Sequence, residues 1–181
     1  MKLSLSEVEA LARKAMRGAG ASWGHAEEAG KAVRWLAARG LPGPERLAQL
    51  LTDWPGEAVQ GDRESGWHGA TGRLCPIRAG CLLQDHAGLE GPDQARFHQV
   101  VVPDLMLPFA AASGMPLDVP RGDVADIVAR RGPREPAPET ATVCPVDAAT
   151  HQTLESWAAR TYVPASDASR AGAGSTLSDN D

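Results

Sequence analysis

The chain has 181 residues, 18 basic against 23 acidic side chains for a formal charge of −5, and is 43% apolar. That length can bury a core without disulfide staples, so a mini-protein is excluded and a soluble globular domain, with or without a tail, is expected. The acidic balance argues against a nucleic-acid binder, which needs clustered positive charge to displace counterions from phosphate.

The first fifty residues predict helices. Ser4 stands three before Glu7 and Ser6 three before Glu9, two overlapping capping boxes, and Val8, Leu11, Ala12, Ala15 and Met16 then recur at helical spacing until Gly18 and Gly20. A second helix opens near Ser22, buries Ala26, Ala29, Ala32, Val33, Leu36 and Ala37, and stops at Gly40. A third starts at Pro44, in a first-turn position where the missing N–H costs nothing, and groups Leu47, Leu50 and Leu51.

Composition changes after Trp54. Residues 56–72 are polar and glycine-rich and read as a long loop. Leu74, Ile77, Cys81 and Leu83 flank a turn-like Arg78-Ala79-Gly80 and suggest a hairpin. Residues 97–102 read as a strand, residues 105–112 as either a buried strand or a short helix, and residues 117–119 and 141–144 as short strands. Eight of the fourteen prolines fall between Pro103 and Pro145, favouring short strands and irregular loops over long helices there. Residues 130–139, rich in proline and charge, read as an exposed loop. A last helix begins at Asp147 and packs through Leu154, Trp157 and Ala158. Residues 161–181 hold too little apolar surface to offset their own ordering entropy and form a tail or a docking strap. The expected fold is therefore α+β: an N-terminal helical bundle (1–54), an antiparallel sheet of short strands (73–146), a C-terminal helix (147–160) and an extended tail.

Arginine outnumbers lysine by 15 to 3 and alanine supplies 31 residues, a bias typical of a GC-rich bacterial genome, so single arginines carry little weight. Three cysteines at no zinc-like spacing point to a reducing compartment. The opening residues lack the apolar run of a signal peptide, and the stretch 100–115 is cut by Pro103, Asp104 and Pro108, short of the ~20 clean apolar residues of a membrane helix. A cytoplasmic location without membrane contact is the expectation.

No phosphate loop, dinucleotide fingerprint, nucleophile elbow or HExxH helix occurs, so no catalytic and no metal-ligating residues are assigned. Trp67 and His68, among glycines and followed by Arg73, offer a stacking face, an acid/base group and a cation, or else an ordinary surface loop. Cys75 and Cys81 with Asp85 and His86 form either a thiol–imidazole pair or a zinc site, or the cysteines are simply core thiols. Tyr162, Ser166, Ser169 and Arg170 supply hydroxyls and a guanidinium, and Gly172 and Gly174 supply free amides for an anion nest; docking on the protein's own core is the alternative. Trp35 and Trp157 read as core, whereas Trp23, Trp54 and Trp67 stand at element ends, where aromatics staple elements together or mark interfaces.

The run Leu5-Ser6-Glu7-Val8-Glu9-Ala10-Leu11-Ala12-Arg13-Lys14-Ala15, Trp23-Gly24-His25-Ala26-Glu27-Glu28-Ala29 and the closing Thr161-Tyr162-Val163-Pro164-Ala165-Ser166 with Ser169-Arg170-Ala171-Gly172-Ala173-Gly174 resemble an uncharacterised bacterial domain family of about this length. That resemblance implies no activity. Residues 3–50 are also similar to the N-terminal helices of the type 2 malate/L-lactate dehydrogenase superfamily, which implies a shared helical scaffold. That superfamily carries a Ser-His-Gly segment after the second helix; Leu41-Pro42-Gly43-Pro44 stands there in this chain.

The functional expectation is a non-catalytic accessory or assembly protein acting as a homodimer or through a partner protein. The alternative is a small-molecule-binding protein or enzyme using His68, Arg73, Tyr162 and Arg170 around one pocket, with its cofactor unknown.

Overall fold

The computed structural model describes residues 1–89, 93–120, 122–133 and 138–162. Helix α1 (Leu5–Gly18) begins where the Ser4 hydroxyl accepts from the Glu7 N–H at 3.2 Å and the Glu7 carboxylate accepts from the Ser4 N–H at 2.8 Å. This is the expected capping box. The second box does not form, because Ser6 already lies within the helix and Glu9 pairs with Arg34 at 2.9 Å. Gly20, at φ +94°, ends the run as the Ala21 N–H reaches back to Met16 O at 3.1 Å. Helix α2 (Trp23–Ala38) is capped by Ser22, and α3 (Gly43–Thr52) carries proline in its first turn. Ala12, Ala15, Ala26, Ala29 and Ala32 let these helices approach closely around Met16, Leu36, Leu47, Leu50 and Leu51. Burying each large apolar side chain stabilises the bundle by roughly 1.5–3 kcal/mol.

Two expectations for the middle of the chain are corrected. Residues 56–72 contain a hairpin, β2 (Val59–Asp62) and β3 (Gly66–Gly69), rather than a loop throughout. Asp62 Oδ1 closes its turn by accepting from the N–H groups of Glu64 and Ser65 at 2.9 and 2.8 Å. The glycines that suggest a loop serve the pairing, since Gly61 and Gly66 adopt φ of +101° and +89°. The hairpin expected around Leu74 and Cys81 is instead helix α4 (Pro76–Ala87). Pro76 sits in its first turn, and Ile77, Ala79, Gly80 and Leu83 bury one face.

Strand β4 (Gln94–Val101) takes in the predicted strand 97–102 up to Val101, and Pro103–Met106 is a 3-10 turn leading into α5 (Leu107–Ser113), so residues 105–112 are helical. Strand β5 (Val124–Arg130), absent from the sequence reading, alternates exposed and buried side chains over all seven residues. Strand β6 (Val143–Pro145) pairs antiparallel with β1 (Lys2–Ser4), a three-residue strand too short to show periodicity. Leu117 makes an isolated bridge to Ala129. Helix α6 (Ala148–Ala158) is capped by Asp147 as expected.

The larger sheet has the order β2-β3-β4-β5. It is antiparallel except that β3 and β4 run parallel at Trp67 and Phe97, with α4 in the crossover between them. The fold is α+β, with the strands of the larger sheet lying from residue 59 onward and α4 and α5 inside that strand-rich part. A second apolar cluster around Phe97, Leu74, Leu83, Met106 and Ile127 backs this sheet.

Among the described residues, two that are not glycine occupy the left-handed region: Gln99 at φ 52°, in the β4 irregularity, and Val102 at φ 44°, just before Pro103. The Gln99 N–H donates to Asp126 Oδ1 at 2.8 Å, and the Val102 N–H donates to Asp123 O at 2.7 Å. Such backbone costs roughly 1–3 kcal/mol for a β-branched residue, so the surroundings must over-determine it. No helix among the described residues is long and apolar enough to cross a membrane.

Candidate functional site

The polar face of α1 carries Lys14 and Arg17 one turn apart, at the i, i+3 spacing that places side chains side by side. The Arg17 guanidinium lies 4.4 Å from the Trp23 ring centroid and donates from Nη1 to Ala21 O, which holds it over that ring. Lys14 Nζ lies 5.8 Å from the Tyr162 ring centroid. The C-terminal end of α6 meets the end of α1 at Gly18, beside the Trp157 carbonyl and Arg160 Cβ, and the Arg160 guanidinium stacks 3.8 Å over Trp157. Arg17 and Arg160 thus stand at helix C-terminal ends, where the dipole favours cations.

Trp23 is 68% and Tyr162 57% exposed, so two large aromatic rings stay on the surface with cations against them. A cleft of about 320 Å³ lies alongside, with Leu3, Ala10 and Leu11 as apolar lining and Glu7, Lys14, His151, Glu155 and Tyr162 as polar lining. Cation–ring contact of this kind contributes about 0.5–1 kcal/mol at exposed sites, enough to bias side-chain orientation but not to anchor a fold. Elsewhere Arg34, Arg46, Arg73, Arg131 and Lys31 each have a carboxylate partner. Arg13, Lys14, Arg17 and Arg160 have none among the described residues.

Of the residues singled out from sequence, Tyr162 lies in this face, as does Trp23, one of the element-end tryptophans. Trp67 is a core residue, stacked on Phe97 at 5.3 Å and edge-on to the buried His86 at 5.7 Å. His68 is half-buried on β3, with Nδ1 3.1 Å from Gly69 O. Arg73 pairs with Asp53 and lines a different cleft of about 260 Å³, together with Gln49, Thr52, Asp123 and the strained Val102. No single cleft among those described holds His68, Arg73 and Tyr162 together. Ser166, Ser169, Arg170, Gly172 and Gly174 lie outside the described residues.

A second polar cluster cross-links three elements. His25 Nδ1 lies 2.6 Å from Glu57 Oε1 and 2.8 Å from Ser22 Oγ, while Nε2 lies 2.7 Å from Arg78 Nη1. Guanidinium nitrogens only donate, so Nε2 takes the acceptor role toward Arg78 while Nδ1 faces Glu57. Serine and glutamate therefore share one ring nitrogen, and arginine occupies the other. That arrangement tethers α2 to α4 and leaves no base free to activate a nucleophile.

The neighbouring thiols are equally unreactive. Burial pushes Cys75 up to about 12 and Cys81 up to about 11, and burial also raises Cys144. At neutral pH these groups are thiols rather than thiolates. Among the described residues, no group of three or more histidine, cysteine, aspartate or glutamate side chains is arranged to hold a metal ion.

The α1–α6 face escaped the sequence reading because its cations come from residues 14, 17 and 160 and its aromatics from 23, 157 and 162. The local signal is present only in part, as the Lys14/Arg17 spacing opposite the apolar stripe of α1 and as Trp23 at an element end.

No curated protein and no solved structure matches the chain, so the similarity of residues 3–50 to dehydrogenase helices gains no support. Where that superfamily has its Ser-His-Gly segment, Gly43 and Pro44 open α3. The matched span described next contains the quoted residues 5–15 and 23–29 but not the closing 161–174. Residues 3–91, from β1 through α4, match the model of an uncharacterised domain family, described as protein of unknown function (DUF3726).

Proposed function

We propose that this is a non-catalytic accessory protein of the bacterial cytoplasm that acts by associating with a second copy of itself or with a partner protein, through the face formed by the ends of α1 and α6. The observation that carries this reading is the pair of exposed rings, Trp23 and Tyr162, held against Arg17 and Lys14. Tryptophan, tyrosine and arginine dominate the binding energy of protein interfaces, because they supply large contact area with few rotatable bonds.

Light scattering and cross-linking on the full chain and on the Trp23→Ser/Tyr162→Ser variant test it. The expected result is a defined complex, with itself or with one protein, that the variant loses. A chain that stays monomeric and binds no protein in either form refutes the proposal.

A second reading rests on the Arg73 cleft. Its polar lining and the left-handed Val102 favour a small-molecule ligand there, since strained backbone recurs at ligand clamps. Thermal-shift screening of the chain against Arg73→Ala tests this, with ligand-induced stabilisation expected only in the unsubstituted protein.

A further inference from the structure

We infer that the α1–α6 face recognises an acidic segment of a partner protein, with its carboxylates on Arg17 and Arg160 and one apolar side chain in the adjoining cleft. This rests on the association reading above and adds the chemistry of the occupant. A guanidinium presents its donors in its own plane, so stacking its face on a ring leaves the edge open. Arg17 lies over Trp23 and Arg160 over Trp157, so both are held in place before a partner arrives. Ordering them beforehand lowers the entropy lost on binding.

Charge points the same way. The chain is net acidic, yet Lys14, Arg17 and Arg160 stand at this face without a carboxylate partner among the described residues. The cleft of about 320 Å³ beside Lys14, with Leu3, Ala10 and Leu11 in its wall, has room for an aliphatic side chain. A nucleic-acid strand fits less well, because the cations already cover ring faces on which bases would stack.

Fluorescence anisotropy of the full chain with a labelled acidic dodecapeptide, glutamate and aspartate around one central leucine, tests the inference. A lysine peptide of equal length and a single-stranded DNA 12-mer serve as the other probes. The acidic peptide is expected to bind saturably, less tightly as salt rises. Arg17→Ala/Arg160→Ala is expected to weaken it about tenfold or more, whereas Arg96→Ala/Arg130→Ala, on β4 and β5, leaves it unchanged. Arg17→Lys/Arg160→Lys, which keeps the charge and removes the planar fork, is expected to fall between them. Circular dichroism verifies that each variant folds.

Absence of saturable binding, equal loss in the β4/β5 variant, or tighter binding of the DNA overturns the inference. A complex that depends on Trp23 and Tyr162 in a chain without affinity for the acidic peptide overturns the inference alone and leaves association standing. Peptide binding by a chain that forms no complex with itself supports the inference and refutes self-association alone.

Discussion

Gly18→Ala tests the close approach of α1 and α6 on which the candidate face depends. In a helix, alanine in place of glycine ordinarily stabilises by about 0.5–1 kcal/mol, because it reduces the freedom of the unfolded chain. Gly18 is the last residue of α1 and has no positive φ, so the backbone itself accepts alanine. The added β-carbon, however, would sit 2.7 Å from the Trp157 carbonyl carbon, closer still to its oxygen, and 3.4 Å from Arg160 Cβ. A backbone carbonyl in α6 cannot rotate aside, so the helix end must move. Overpacking of this kind costs roughly 1–3 kcal/mol, which exceeds the propensity gain. The net expectation is a loss of about 1–2 kcal/mol, a fall in Tm of about 2–8 °C for a chain of this size. Gly24→Ala in α2 is the matched control. Nothing lies within 4 Å of its β-carbon position, so a gain of about 0.5 kcal/mol is expected there. Denaturant midpoints at unchanged m-value give the difference between the two. If Gly18→Ala is as stable as Gly24→Ala, the two helix ends do not meet as described, and the juxtaposition of Arg17 and Arg160 falls with them.

Three further outcomes follow from the same structure. Acid should erode stability: hydrogen bonds from Ser4 to Glu7, Ser65 to Asp62, Gln99 to Asp126 and Thr150 to Asp147 hold these carboxyls below their ordinary values. Their contribution is complete above the unfolded carboxyl range of about 4 and is lost as pH falls through the lowered folded values, so the urea midpoint should drop between about pH 5 and pH 2. Asp126→Asn should flatten part of that drop, and a midpoint independent of pH there contradicts the assignment. Iodoacetamide at pH 8 should leave Cys75 and Cys81 largely unmodified in the folded chain and alkylate both in denaturant, by mass spectrometry; rapid labelling without denaturant would show thiolates. His25→Leu should cost about 1–3 kcal/mol by stripping partners from Glu57 and Arg78, and His25→Leu/Glu57→Leu should cost less than the two single changes summed. Strictly additive losses would mean that the pair is not coupled.

Sequence alone determined the elements whose signals are local. The Ser4–Glu7 box, the Ser22 and Asp147 caps, the Gly20 and Gly40 stops and the alanine stripes lie within a turn or two of the structure they specify, so α1, α2, α3 and α6 could be read directly. Short-range hydrogen bonding and 3.6-residue burial suffice for these. Tertiary structure alone decided the rest. Gly80 mimics a turn in sequence, yet it lies inside α4 because the Phe109 ring packs against it. Gly61 and Gly66 look like loop residues, yet they allow β2 and β3 to pair. β1 becomes a strand only because β6, some 140 residues later, supplies its hydrogen bonds. The candidate face is the extreme case. Arg17 and Arg160 are unremarkable in an arginine-rich chain, and only the packing of α6 against Gly18 brings their charges and rings onto one surface.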